Sequence, residues 1–194
     1  MFDVIIVGGG PAGLNAALIL GRCRRRVLLC DSGRPRNWAS RAIGGFLSRD
    51  GCPPDTLRRI AREQLAPYPD VRVKDIEVVA AERRETGFHV LLAGGAAVSA
   101  RKLLLATGVV DDLPPLPGAE AFYGRGVHHC PYCDGWELRD APLAAYGKGA
   151  SSRDQSASAC CRRPGWATSR RCWMTWKPKG WRCRRRSTRH VNKP

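Results

Sequence analysis

The sequence predicts an α/β fold: a largely parallel sheet carrying a β-meander, with the start of a second strand-turn-helix unit behind it. Three observations carry this. The chain opens on an apolar, β-branched run that ends in a glycine-rich turn, and a helical pattern and a second apolar run follow at once. The same buried-strand composition then returns before another glycine turn further along.

Phe2 to Val7 (FDVIIV) is apolar apart from one acid, the pattern of a strand buried on both faces. Gly8-Gly9-Gly10-Pro11-Ala12-Gly13 comes next. Leu14, Ala17, Leu18 and Gly21 then fall at helical spacing, and Arg26 to Asp31 (RVLLCD) reads as a second strand. Arg22, Arg24, Arg25 and Arg26 crowd the helix end, where cations complement its dipole. Arg34 to Gly51 mixes Gly, Pro, Asn and Ser with basic residues and reads as a long loop over the ligand side. From Pro54, PDTLRRIAREQL places Leu57, Ile60, Ala61 and Leu65 on one face of an amphipathic helix, with Asp55 as its expected cap. Val71 to Ala80, Gly87 to Leu92 and Ala96 to Arg101 are expected strands, and Ala93-Gly94-Gly95 is the clearest hairpin turn among them. Lys102 to Thr107 (KLLLAT) returns to the buried parallel type and ends at Gly108, where a small-residue turn lets backbone approach a ligand. Pro114, Pro115 and Pro117 mark a linker.

A chain of 194 residues suffices for one ordinary domain, or for one domain and a fragment of another. Its formal charge of +16 is that of a nucleic-acid binder until it is divided. Residues 1–150 hold 20 Lys and Arg against 16 Asp and Glu, whereas residues 151–194 hold 13 against 1. Nucleic-acid binding is therefore not expected of the first part. Val4 to Gly21 is an uncharged run of 18 residues. Four glycines and Pro11 interrupt it, and Asp3 precedes it where a signal peptide carries a base, so neither a span nor a secretory leader is expected. A cytoplasmic location follows. In a reducing compartment the cysteines before Ala150 are buried thiols, redox groups or metal ligands rather than structural disulfides.

The glycine turn has the G-x-G-x-x-G spacing and the context that gives it meaning. Gly8 permits a tight turn, Gly10 lets backbone approach a pyrophosphate, and Gly13 lets the helix lie on the strand. Amides at the helix N-terminus receive the anion. Asp31, closing the second strand, is placed to accept ribose hydroxyls. Dinucleotide binding is the reading.

Cys130-Pro131-Tyr132-Cys133 sets two thiols two residues apart, a spacing that can close a small disulfide and that often lowers a thiol pKa. Redox exchange beside a nucleotide site is one reading; metal binding, helped by His128 and His129, and inert buried thiols are the others. Against zinc, the chain has no second C-x-x-C and no H-x-x-x-H, and Cys160 and Cys161 are adjacent. No residue is assigned to a metal.

DVIIVGGGPAG at the start, LLLATG at Leu103 to Gly108, HCPYCDGWE at His129 to Glu137 and PLAAYGKGAS at Pro142 to Ser151 occur in this order. Together they make the chain, from Phe2 to about Ala150, resemble the low-molecular-weight bacterial thioredoxin reductases and their thioredoxin-reductase-like flavoprotein relatives. The resemblance implies a Rossmann-like FAD-binding domain with a β-meander over residues 1–111, incomplete, and a linker with the start of an NAD(P)-binding domain over residues 112–151. It implies FAD held by Gly8, Gly10, Pro11, Ala12, Gly13 and Asp31, with Ala106, Thr107 and Gly108 closing over it, and NAD(P)H at Gly147 and Gly149. By the same carry-over Cys133 faces the flavin, Cys130 attacks a partner disulfide and Asp134 moves protons. Electrons then run from NAD(P)H through FAD and the cysteine pair to a thioredoxin-like protein or small disulfide, in a family whose intact members are expected to be homodimers. Two positions depart from the pattern. Asp31 stands where a longer Glu is more frequent, and Pro131-Tyr132 replaces small residues. Related dithiol oxidases also carry bulky residues there, which makes a flavin-dependent dithiol oxidase the alternative.

Gly147, Gly149 and Ser152 begin a second glycine motif, but no leucine-rich helix follows. Residues 152–194 are basic, hold four of the six Trp and four of the nine Cys, and contain no Leu, Ile, Phe or Tyr. Such a segment builds no core, and it is expected to be a disordered tail. Aliphatic codons of the CTG type, read one base later, give Cys or Trp, so a frameshifted end is the reading for this tail. The rival is a genuine basic extension that binds nucleic acid.

Overall fold

The computed structural model describes residues 1–113 and 115–142 and, beyond them, the backbone of residues 172–177 and 180–185. Gly147 and Gly149 lie outside the described residues. Contacts divide the chain into two units, Met1–Val127 and His128–Pro194.

The first unit is organised by strands β1 (Phe2–Val7) and β2 (Val27–Asp31), whose side chains alternate between two buried layers. Ile6, Val27 and Leu29 face one way and pack with Leu14 and Ala17 of helix α1 (Pro11–Arg22) and with Leu65, just beyond helix α2 (Pro54–Glu63). Ile5, Leu28 and Cys30 face the other way. Full burial of each Leu or Ile contributes roughly 1.5–3 kcal/mol, so the two layers fix the register of both strands. The sheet is completed by β3 (Val71–Asp75), β4 (Val78–Arg84), β5 (Gly87–Leu92) and β6 (Ala97–Leu105), in the order β3-β2-β1-β6-β5-β4. β1, β2 and β3 run parallel, and β6 runs parallel to β1. The antiparallel meander β4-β5-β6 brings Val90, Leu92 and Ala100 into the cluster of Ile5 and Leu28, so it curls over the face opposite α1.

Three expectations are corrected. The run from Val71 to Ala80 is two strands, since β3 ends at Asp75 opposite Asp31 and Ile76 turns into the core before β4 starts at the far edge. The runs Ala96–Arg101 and Lys102–Thr107 are one strand to Leu105, because β6 pairs antiparallel with β5 over its first residues and parallel with β1 thereafter. Ala100 pairs with both Phe88 and Phe2, and no turn residue interrupts the strand there. Asp55 does not cap α2. Pro54 takes the first helical position and Pro53 the extended cap conformation, which places the 92% exposed Asp55 side chain in the first turn, 3.5 Å from Arg58.

The hairpin expected at Ala93-Gly94-Gly95 forms, with Gly94 and Gly95 both at positive φ. Residues after β6 stay with the first unit. Arg36 donates Nε and Nη2 to the Asp111 carboxylate at 2.8 and 2.6 Å, and the Tyr123 hydroxyl lies 3.2 Å from it, with Trp38 against the Tyr123 ring. Helix α3 (Ala119–Phe122) lies in this segment. In the second unit, a single turn of helix, α4, spans Pro131–Asp134, and the backbone strands β7 (Cys172–Lys177) and β8 (Gly180–Arg185) pair antiparallel. No helix among the described residues is long and apolar enough to cross a membrane.

Candidate active site

The parallel strands β1, β2 and β6 end together, and the turn Gly8 to Gly13 occupies that edge, where open α/β sheets bind ligands. The Gly8 amide donates to the Cys30 carbonyl at 2.8 Å, and the Ala106 amide to the Val7 carbonyl at 2.8 Å, so the turn is stitched to both neighbouring strands. Gly8 has φ +112°, and a Cβ there would overlap the Ala106 carbonyl; a Cβ on Gly13 would overlap the Gly8 carbonyl. Gly10 is different: nothing stands within 4 Å of where its Cβ would be. Two of the motif glycines are therefore required by the fold, while Gly10 faces open space. The first intrahelical amide of α1 is that of Leu14, donating to Gly10 at 3.0 Å, which leaves the amides before it outside the helical ladder. Open space at Gly10 beside such amides fits a diphosphate. Pro11 and Ala12 are exposed at the same mouth, and Thr107 and Gly108 are exposed beyond Ala106.

Asp31 lies at this edge, with only 6% of its side chain exposed. Its Oδ1 accepts the Gly33 amide at 2.9 Å, and its Oδ2 accepts Arg58 at 2.8 Å and Arg62 at 2.6 Å. Arg62 also donates to Asp75 at 2.6 Å, joining the ends of β2 and β3. Burial pushes the Asp31 carboxyl up, but the Gly33 amide and the two guanidiniums outweigh it, and the group sits below its ordinary value. A ribose at Asp31 would therefore share the carboxylate with Arg58 and Arg62. Neither arginine stood out in the sequence, although both flank Ala61 at the border of the apolar face of α2. Gly9, an unrestricted position of the motif, is also specified: a Cβ there would meet the Asp31 carboxylate.

In the second unit Cys130 and Cys133 form a disulfide, with Cα atoms 5.3 Å apart. Cys130 caps the turn α4, and the Cys133 and Asp134 amides donate to its carbonyl at 3.2 and 3.3 Å. The two sulfurs are bonded to each other, and among the described residues no group of three or more His, Cys, Asp and Glu side chains is placed to hold a metal ion. Asp134 Oδ1 lies 3.5 Å from Nδ1 of His128. Tyr132 is exposed, and the guanidinium of Arg139 lies 4.4 Å above the Trp136 ring. The structure thus gathers Gly8, Gly10, Gly13, Asp31 and Ala106 at one strand edge, and separately Cys130, Cys133 and Asp134.

The sequence profile of the family described as "Pyridine nucleotide-disulphide oxidoreductase" matches residues 2–160. The chain belongs to this family. Among its curated relatives, the "Probable thioredoxin reductase" of Arthroderma benhamiae is 43% identical over 152 residues, covering 75% of this chain and 38% of the relative. The thioredoxin reductase tcpT of Claviceps purpurea is 37% identical over 71% of this chain and 44% of its own. Among solved structures, an oxidoreductase from Agrobacterium tumefaciens is 44% identical with a TM-score of 0.69, over 71% of this chain and 46% of that one. The thioredoxin reductase of Streptococcus pyogenes is 28% identical with a TM-score of 0.75, over 82% and 52%. The chain therefore spans about half, or less, of the proteins it matches. Within the pyridine nucleotide-disulphide oxidoreductases its sequence and its Rossmann-like fold are similar to those of thioredoxin reductases. FAD and NADPH are the cofactors of thioredoxin reductases.

Proposed function

We propose that the chain is the N-terminal part of a thioredoxin-reductase-like enzyme that passes two electrons from NAD(P)H through FAD to the Cys130–Cys133 disulfide, and from the resulting dithiol to a thioredoxin-like protein or a small disulfide. The observation that carries this reading is the Cys130–Cys133 disulfide itself, closed on a short turn with Asp134 directly behind it. Bound FAD would supply a two-electron carrier between the nicotinamide and the disulfide. Its diphosphate would be held at Gly10, Pro11, Ala12 and the first amides of α1, and its ribose at Asp31 beside Arg58 and Arg62.

The chemistry of the chain's own residues is thiol exchange. Cys130, as the thiolate, attacks the partner disulfide and forms a mixed disulfide, and the first partner thiolate leaves. Cys133 then attacks Cys130, releasing the second. Two cysteine thiols become one disulfide, the partner disulfide becomes two thiols, and two protons pass between them with Asp134 at hand. The unpaired cysteines Cys23, Cys30 and Cys52 support a reducing cytoplasm as the setting. The intact protein is expected to be a homodimer.

The full chain mixed with FAD and desalted should retain visible flavin absorbance, and NADPH should then convert Cys130 and Cys133 to alkylatable thiols, counted by peptide mass. Loss of all flavin on desalting, or a disulfide that persists in flavin-loaded protein treated with NADPH or a dithiol, overturns the reading.

A further inference from the structure

His128 is a polar residue beside the disulfide that the proposed exchange does not use. Its Nδ1 lies 3.5 Å from Asp134 Oδ1, and 19% of its side chain is exposed. Its Nε2 is buried and has no hydrogen-bond partner among the described residues. Asp134 is thus a carboxylate set against the ring on its Nδ1 side. Arg139 lies 3.7 Å from Asp140 and above the Trp136 ring.

Thiol exchange with an aliphatic disulfide ends on a thiolate that takes up a proton. Carboxyl groups in water titrate near ~3.9 and aliphatic thiols near ~8.5, so a carboxylate alone carries almost no proton at neutral pH and is a poor donor to such a leaving group. Imidazole titrates near ~6.5, close to both the working pH and the thiol. An imidazole against a carboxylate therefore supplies the proton that the carboxylate lacks.

We propose that His128 is a positioning and proton-storing residue for Asp134. It keeps one exchangeable proton next to the Asp134 carboxylate, from which the leaving thiolate is protonated as Cys130 forms the mixed disulfide. The proton is restored when a cysteine thiol of the pair ionises, so the exchange balances without net uptake. This inference rests on the redox reading of Cys130 and Cys133.

The test compares two disulfides with the full chain, reduced by a dithiol and desalted. Hydroxyethyl disulfide leaves as a basic aliphatic thiolate, and dithiobis-nitrobenzoate leaves as a stable anion that needs no proton. The Cys130→Ser/Cys133→Ser chain gives the background of the other cysteines. His128→Gln should slow exchange with hydroxyethyl disulfide about tenfold or more and leave dithiobis-nitrobenzoate within about twofold. Asp134→Asn should show the same selectivity, and the double variant should be no slower than either. Free imidazole should restore His128→Gly with the aliphatic substrate alone. The unsubstituted chain should show a solvent deuterium isotope effect with hydroxyethyl disulfide and none with the aromatic one, a measurement that needs no variant to fold. Equal slowing with both disulfides, no slowing with either, or no isotope effect overturns the role of His128 while leaving the dithiol reading intact. No exchange above background with either substrate overturns both.

Discussion

Replacing Asp31 by asparagine preserves the shape of the side chain and removes its charge. In the structure the carboxylate is almost fully buried, with Arg58 and Arg62 18% and 30% exposed. Arg62 keeps Asp75 at 2.6 Å, whereas among the described residues Arg58 keeps only the highly exposed Asp55 at 3.5 Å, and its Nε is already buried there without a hydrogen-bond partner. Stranding one member of a buried pair costs about 3–5 kcal/mol. Partial exposure and the surviving Arg62–Asp75 pair bring the expected loss for Asp31→Asn to about 2–3 kcal/mol. With a urea slope of about 1–3 kcal/mol/M, the unfolding midpoint should fall by about 0.7–3 M. The pH dependence gives a second readout. Asp31 is held below its ordinary value of 3.8 in the folded chain, so its stabilisation is fully present above that value and is lost as pH falls through the lowered folded value. Asp31→Asn should lack this part of the acid limb. A midpoint shift under about 0.25 M, or an acid limb identical in both proteins, would refute the account of Asp31 as an electrostatic hub.

Gly8→Ala should destabilise the fold by more than about 2 kcal/mol, since its positive φ and the Ala106 carbonyl both exclude a side chain. Gly10→Ala should leave urea stability within about 0.5 kcal/mol and yet lower flavin retention on desalting; equal effects of the two substitutions would contradict the division of labour within the turn. Arg36→Ala removes a half-exposed partner of Asp111, so global stability should fall by about 1 kcal/mol or less. Chymotryptic cleavage near Phe122 and Tyr123 should become faster, as seen by mass spectrometry; an unchanged cleavage rate would show that Arg36 does not hold that segment. Iodoacetamide should label the exposed Cys23 before Cys30, whose thiol is buried and pushed up by that burial, and Cys30 should react only on unfolding. Labelling of Cys30 first would contradict its burial.

The parallel core was legible because burial on both faces leaves its mark on every residue. FDVIIV and VLLCD are β1 and β2, and the motif glycines fall where those strands deliver them. Pairing direction was less legible. KLLLAT reads as a fresh strand because its composition differs from AVSA, but composition reports burial, not the neighbour. One strand of nine residues changes from an antiparallel to a parallel partner at Ala100 without any local signal. The cap of α2 was misplaced for a related reason. Asp55 has the right chemistry, but two prolines in succession start the helix two residues too early for it to act as the cap.

Site residues divide along the same line. Gly8, Gly13 and the cysteine pair obey short spacings that one stretch of sequence displays, although the carbonyl that excludes a side chain at Gly8 belongs to Ala106, far along the chain. Arg58 and Arg62 meet Asp31 only because α2 packs beside the ends of β2 and β3, 27 and 31 residues further along the chain. Gly9 is required only by the Asp31 carboxylate, 22 positions away by number. The difference has a chemical consequence for the shorter acid. An aspartate reaches less far into the ligand mouth than a glutamate does, and here both its oxygens are already accepting hydrogen bonds. Nucleotide affinity at this edge should therefore depend on Arg58 and Arg62 as much as on Asp31. Arg58→Met, which keeps the packing stem and removes the charge, should weaken flavin retention; retention equal to that of the unsubstituted chain would assign ribose recognition to the carboxylate alone.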